Sequence, residues 1–130
     1  MKEYSSRKDI KVQIIEDDAL IAMMLKAKIS GEGYSVCETS ANAEQANAIY
    51  FAEAPDILLA DILLSDDDNG IDLAIEIKET NPALPVIFLT GYEIDDIKDR
   101  AMVVKPLGFF IKPVDIDEIS RLIDDYFKIR

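Results

Sequence analysis

A chain of 130 residues, nearly half of them apolar, holds one domain with enough hydrophobic sequence to build a core. Its net charge of −12 argues against nucleic acid, whose phosphates are held by Lys and Arg clusters, and points to cations, metals or basic protein surfaces. The absence of any histidine removes Ser-His-Asp and Cys-His pairs, His-ligated zinc and a phosphohistidine carrier role, while Cys37 alone allows neither a disulfide nor a cysteine zinc site.

No apolar run approaches the ~18 residues of a membrane span, and the polar opening "MKEYSSRKDI" lacks the apolar stretch of a secretory signal. Residues 1–10 read as a loose tail before a domain over 11–130, in a reduced, cytoplasmic setting.

From Lys11 onward, short β-branched runs alternate with segments of helical period. "KVQII" (11–15) reads as a strand. "DDALIAMMLKAKIS" (17–30) reads as a helix with Leu20, Met24 and Ala27 inward, ended by Gly31 and Gly33. "YSVCE" (34–38) is a weaker strand. Asn42 and Gln45 have capping-box spacing before "AEQANAIYFAEA", and Pro55 marks that helix's end.

"ILLA" (57–60) is a strand without a polar face, as expected when both sides are covered. A helix over 70–79 follows, with Ile71, Ala74, Ile75 and Lys78 at helical spacing. "VIFL" (86–89) is the fourth strand. "EIDDIKDRAMVV" (93–104) is a weaker helix with Ile94, Ile97, Ala101 and Val104 on one stripe, expected to be short or mobile. "FFI" (109–111) is the fifth strand. "DIDEISRLIDDYFKI" closes the chain, with Ile116, Ile119, Leu122, Ile123 and Tyr126 inward. Five β-α units imply a parallel sheet with right-handed crossovers and helices on both faces, and no sequence is left over for an output domain.

The polar residues that end these runs carry the chemistry. Glu16, Asp17 and Asp18 follow the first strand, Asp61 the third, Thr90 the fourth and Lys112 the fifth. In a parallel sheet all lie on the carboxyl-terminal edge, where open α/β sheets bind ligands. Any one of them alone is an ordinary strand end entering a loop; together they form a constellation. Its carboxylates repel one another unless a cation neutralises them, and magnesium favours such oxygen ligands. Asp61 is then a nucleophile toward an activated phosphoryl group, with Lys112 and the Thr90 hydroxyl placed for its oxygens.

The acidic "EDD", the Asp of "LLAD", "FLTG" and "FFIKP" occur in the order and near the spacing of bacterial response regulator receiver domains, which the chain resembles from Lys11 to its end. That resemblance implies a flavodoxin-like doubly wound sheet of order 2-1-3-4-5. It implies a phosphoacceptor at Asp61, magnesium on Asp17, Asp18, Asp61 and the Leu63 backbone carbonyl, a switch hydroxyl at Thr90 and a phosphate-binding Lys112 before a cis Pro113. Partners would be a sensor histidine kinase and a downstream protein or phosphotransferase. "PVIFLTGY" further resembles a Phe-x-Thr-Gly-Tyr receiver subgroup, often single-domain and paired with His-Trp-Glu-type kinases. Such a protein is not an enzyme beyond its own phosphorylation and dephosphorylation, and acts as effector, shuttle or sink.

Several positions depart from the pattern. The Asp61–Gly70 loop is one residue longer than the commonest form, Ser65 replaces the usual proline, Phe109 stands where many receivers carry a switch tyrosine, and Pro106 interrupts a stretch usually rich in Gly and Ala. Tyr92 is either a shield for the phosphoryl group or a surface aromatic. Phe51, Tyr126 and Phe127 read as core or interface packing. Of two Lys-Pro pairs, only Lys112-Pro113 follows an aromatic strand.

Two other readings of the acidic stretch "DILLSDDDNGID" compete. Counting Ser65 as position 1 of a calcium loop places Asp67, Asn69, Gly70 and Glu76 at positions 3, 5, 6 and 12, but Asp72 fills an apolar position and a strand precedes. An aspartate-nucleophile phosphatase of the haloacid-dehalogenase type needs a second Asp where Leu63 stands.

Overall fold

The computed structural model describes residues 2–64, 69–91 and 95–129. Strands β1 (Lys11–Ile15), β2 (Ser35–Val36), β3 (Ile57–Asp61), β4 (Val86–Thr90) and β5 (Gly108–Ile111) form one parallel sheet in the order β2-β1-β3-β4-β5. Helices α1 (Ala19–Gly31) and α5 (Ile116–Phe127) cover one face; α2 (Ala43–Glu53), α3 (Gly70–Thr80) and α4 (Asp95–Met102) cover the other. This is the doubly wound architecture expected from the alternating pattern.

The central strands are apolar on both sides because both faces are covered. In β1, Val12 and Ile14 pack toward α1 and α5, and Ile15 packs toward α2 and α3; in β5, Phe110 goes to the first face and Phe109 to the second. Gln13 is the polar exception in β1: it is fully buried and its amide nitrogen donates to the Ala46 carbonyl of α2 at 2.9 Å.

One helix buries a different face from the one the spacing suggested, and two depart from it at single positions. α1 turns Ala22, Leu25 and Ile29 inward and leaves Leu20, Met24 and Ala27 exposed. The helix is apolar nearly all round, so two stripes fit the 3.6-residue period and only the sheet chooses between them. In α3, Leu73 and Ile77 join Ile71 and Ala74 in the core, and Ile75 faces outward. In α5, Tyr126 is exposed while Phe127 packs against the core with Ile119 and Ile123. Phe51 is likewise outside the core, at 68% exposure.

The opening segment is not a loose tail. Ile10 is fully buried, residues Arg7–Asp9 form a 3-10 turn, and Tyr4 packs its ring on Phe127 with centroids 4.6 Å apart. Ala101 of α4 is buried, as is Val104 just beyond it; Ile94 lies outside the described residues.

Candidate functional site

Strand register fixes the site. Asp61 pairs with Leu89 and Thr90 with Ile111, so Asp61, Thr90 and Lys112 leave adjacent strands at one edge. The Lys112 amide donates to the Thr90 carbonyl at 2.7 Å, and the Lys112–Pro113 peptide is cis. Thr90 is fully buried at the end of β4.

Lys112 is the centre of the arrangement. Its Nζ donates to Asp61 Oδ2 at 2.9 Å and also to Glu16 Oε1. Asp61 is 6% exposed and Glu16 2% exposed, so both carboxylates have given up most of their hydration. Asp61 Oδ1 accepts the Leu63 amide at 3.3 Å. Glu16, Asp17 and Asp61 each offer an oxygen within 4.8 Å of the others. Burial raises the Glu16 carboxyl above its ordinary range, Lys112 opposes that and Asp61 adds to it. Burial, then the neighbouring Glu16, raises Asp17. For Lys112, burial works against the charged form, but its bonds to Glu16 and Asp61 hold the ammonium above its usual value.

The acidic pair that meets Asp61 is therefore Glu16 and Asp17, displaced by one residue from the expected Asp17 and Asp18. Asp18 is the N-cap of α1, with Oδ1 accepting from the Leu20 and Ile21 amides at 3.0 and 3.1 Å. A carboxylate so used satisfies the orphan donors of the first turn. The signal was present in the sequence: an Asp immediately before an apolar helical run reads as a cap, and a helix starting at Ala19 leaves Glu16 and Asp17 as the strand end.

Three carboxylates against a single ammonium leave the cluster short of positive charge. A hard divalent cation suits that oxygen donor set, and Glu16, Asp17 and Asp61 are the described residues able to hold one. Gly70 keeps the loop after Asp61 folded tightly back: a Cβ there would lie 2.1 Å from the Asp61 carbonyl oxygen. The Gly70 amide donates to the Ile62 carbonyl at 2.8 Å, and Asn69 caps α3 by accepting from the Ile71 and Asp72 amides.

The remaining residues weighed for the site fall elsewhere. Phe109 packs partly buried against the face covered by α2, α3 and α4, and Lys105 is exposed after α4. Tyr92 and the loop residues Ser65, Asp66, Asp67 and Asp68 lie outside the described residues. Of the calcium-loop ligands that are described, Asn69 is occupied as a cap and Glu76 accepts from the Asn47 amide of α2 at 3.2 Å.

The sequence pattern of the response regulator receiver domain matches residues 12–124. The chain belongs to this family. It is 33% identical over 113 residues to the DNA-binding transcriptional regulator NtrC of Salmonella typhimurium, covering 87% of this chain and 24% of that protein. It is 30% identical over 120 residues to the transcriptional regulatory protein ZraR of Klebsiella oxytoca, covering 92% and 27%. The chain thus spans about a quarter of the length of the curated relatives it matches. Among solved structures, the signal receiver domain of a modulated diguanylate cyclase from Desulfovibrio desulfuricans G20 superposes with a TM-score of 0.82 at 32% identity, over 91% of this chain and 93% of that one. A CheY-like receiver domain from Methanospirillum hungatei JF-1 gives 0.83 at 25% identity, over 92% and 94%. The chain is therefore a receiver domain of two-component response regulators. No helix among the described residues is long and apolar enough to cross a membrane.

Proposed function

We propose that Asp61 accepts a phosphoryl group from the phosphohistidine of a sensor kinase, and that the domain then presents an altered surface to a protein partner. The observation that carries this reading is the position of Asp61: a nearly buried carboxylate at a strand end, held by Lys112 and within reach of Glu16 and Asp17. An Asp61 carboxylate oxygen forms the new P–O bond as the P–N bond to the donor imidazole breaks. The leaving imidazole departs with the bonding electron pair. Lys112 then transfers its hydrogen bond from Asp61 Oδ2 to a phosphoryl oxygen, and Thr90 supplies a hydroxyl from β4. Magnesium, held by Glu16, Asp17 and Asp61 with the Leu63 carbonyl, would neutralise charge on the phosphoryl oxygens.

Thr90 and Phe109, on neighbouring strands, are the switch pair in this reading, with Tyr92 as a shield. Phe109 has no hydroxyl, so it reports by repacking against α4 rather than by a new hydrogen bond. The Phe-Leu-Thr-Gly-Tyr run over 88–92 supports pairing with a His-Trp-Glu-type kinase. The strong negative charge supports a protein or phosphotransferase as the downstream partner of this domain rather than DNA. The lone Cys37 goes with a reduced, cytoplasmic setting.

Incubation with acetyl phosphate and magnesium, followed by intact mass measurement, tests the assignment. One added phosphoryl group is expected, absent with EDTA and absent in Asp61→Asn. Undiminished phosphorylation of Asp61→Asn would overturn it.

A further inference from the structure

The family pattern ends at residue 124 and begins at residue 12, so Tyr4, Arg7 and Phe127 lie outside it. Those outlying residues meet one another and the last matched position. Arg7 donates from Nε and Nη2 to the Asp124 carboxylate, with Nη2 2.7 Å from Oδ2, and from Nη1 to the Glu32 carbonyl at 2.8 Å. The Tyr34 hydroxyl lies 2.6 Å from Asp124 Oδ1, and the Arg7 guanidinium stands 5.1 Å over the Tyr34 ring. Nearby, the Tyr4 ring packs tilted at 53° against Phe127, while its hydroxyl donates to Asp56 Oδ1 at 2.8 Å.

We propose that residues 2–10 form a strap that locks the C-terminal half of α5 onto the domain, with Arg7, Asp124 and Tyr34 as the latch and Tyr4 on Phe127 as a second fastening. The need for it follows from the burial of α5. Ile119 and Ile123 are fully buried, but the turn beyond them offers only partly buried side chains, chiefly Phe127 and Ile129, and both pack in the cluster that contains Tyr4. A helix end with so little buried surface opens locally unless something else holds it. A guanidinium gripping a half-buried carboxylate through two nitrogens is a strong and directional tie, because the planar fork matches the carboxylate. The Arg7–Asp124 pair bridges 117 residues of sequence and joins the opening segment, the α1–β2 turn and α5 at one point.

Hydrogen exchange on the whole chain, without phosphorylation, tests this lock in wild type, Arg7→Met, Asp124→Asn and Tyr4→Ala. In Arg7→Met the amides of residues 120–129 should exchange about tenfold faster or more, while those of β3 and β4 stay within about twofold. Asp124→Asn should reproduce that pattern, and combining it with Arg7→Met should add little, since the two share one interaction. Tyr4→Ala should loosen the same region and should add to Arg7→Met. Equal acceleration throughout the sheet, or no change in 120–129, would overturn the proposal. Should Arg7→Met fail to fold, Tyr4→Ala supplies the same regional comparison. None of these measurements involves Asp61, so the result separates from that of the phosphoacceptor assignment.

Discussion

The two edges of the sheet handle buried carboxylates in opposite ways. At the amino-terminal edge two partly buried acids are matched by donors and cations. Asp124 accepts from Arg7 and Tyr34, and Asp56 accepts from Lys2, Tyr4 and the Lys11 amide. At the carboxyl-terminal edge buried Glu16 and Asp61 share the ammonium of Lys112, and exposed Asp17 stands beside them with no ion pair among the described residues. Matched acids hold the fold together; the unmatched cluster keeps a standing demand for positive charge. In the proposed function a cation would answer that demand, and that is what would separate a functional acid from a structural one.

The largest effect expected at the carboxyl-terminal edge is complete loss of function. Asp61→Asn should abolish acetyl-phosphate labelling while leaving the fold intact by circular dichroism, because the amide still fits the space. Gly70→Ala comes next. Its new Cβ would press on backbone of Asp61 and Ile62, which cannot move aside as a side chain tip would, so a cost of about 3 kcal/mol or more is expected in urea unfolding. A Gly70→Ala protein of wild-type stability would mean that the loop after Asp61 is not held as tightly as this backbone contact requires.

How much of this contrast could be read from the sequence depended on whether neighbouring signals competed. The sheet and its edge were legible because β3 and β4 are apolar without interruption and each ends in one polar residue, Asp61 or Thr90. Lys112 was separable from Lys105 because an aromatic strand precedes only the former. The acidic pair was harder, since three consecutive acids follow β1 and local spacing does not rank them; the capping of α1 by Asp18 does. The inward face of α1 was ambiguous for a similar reason, its apolar residues covering almost the whole circumference. The strap was illegible, because Arg7–Asp124 and Tyr4–Phe127 are contacts between opposite ends of the chain and no local period encodes them.

A smaller effect sharpens the contrast by making the same chemical change at both edges. Asp124→Asn removes a charge that Arg7 grips through two nitrogens and leaves a part-buried guanidinium without its counter-ion. A loss of about 1.5–3 kcal/mol is expected, the range for hydrogen bonds to charged groups. Asp17→Asn removes a charge that its surroundings already disfavour, and should leave the metal-free protein as stable as wild type or slightly more so. Comparing the two by thermal unfolding in EDTA checks the idea directly. Equal destabilisation by both would erase the distinction between matched and unmatched acids.

The smallest effect is a pH dependence. Glu16 and Asp17 bind protons more readily in the folded protein than in the unfolded chain, through burial first; Asp61 then adds to it at Glu16, against Lys112, and Glu16 adds to it at Asp17. A group with a raised folded pKa contributes stability that is complete below its unfolded value and is lost as the pH rises through the folded one. In EDTA, therefore, the protein should lose part of its stability as the pH climbs from the ordinary carboxylate range through the raised values of these two acids. Magnesium held as proposed would bind their ionised forms, so the gain in melting temperature on adding it should grow over that same interval. Asp17→Asn should flatten both trends. Asp124→Asn lies at the other edge and should leave the magnesium-induced gain unchanged. If that gain fell equally in the two variants, magnesium would be answering the overall negative charge of the chain rather than the unmatched acids at one edge.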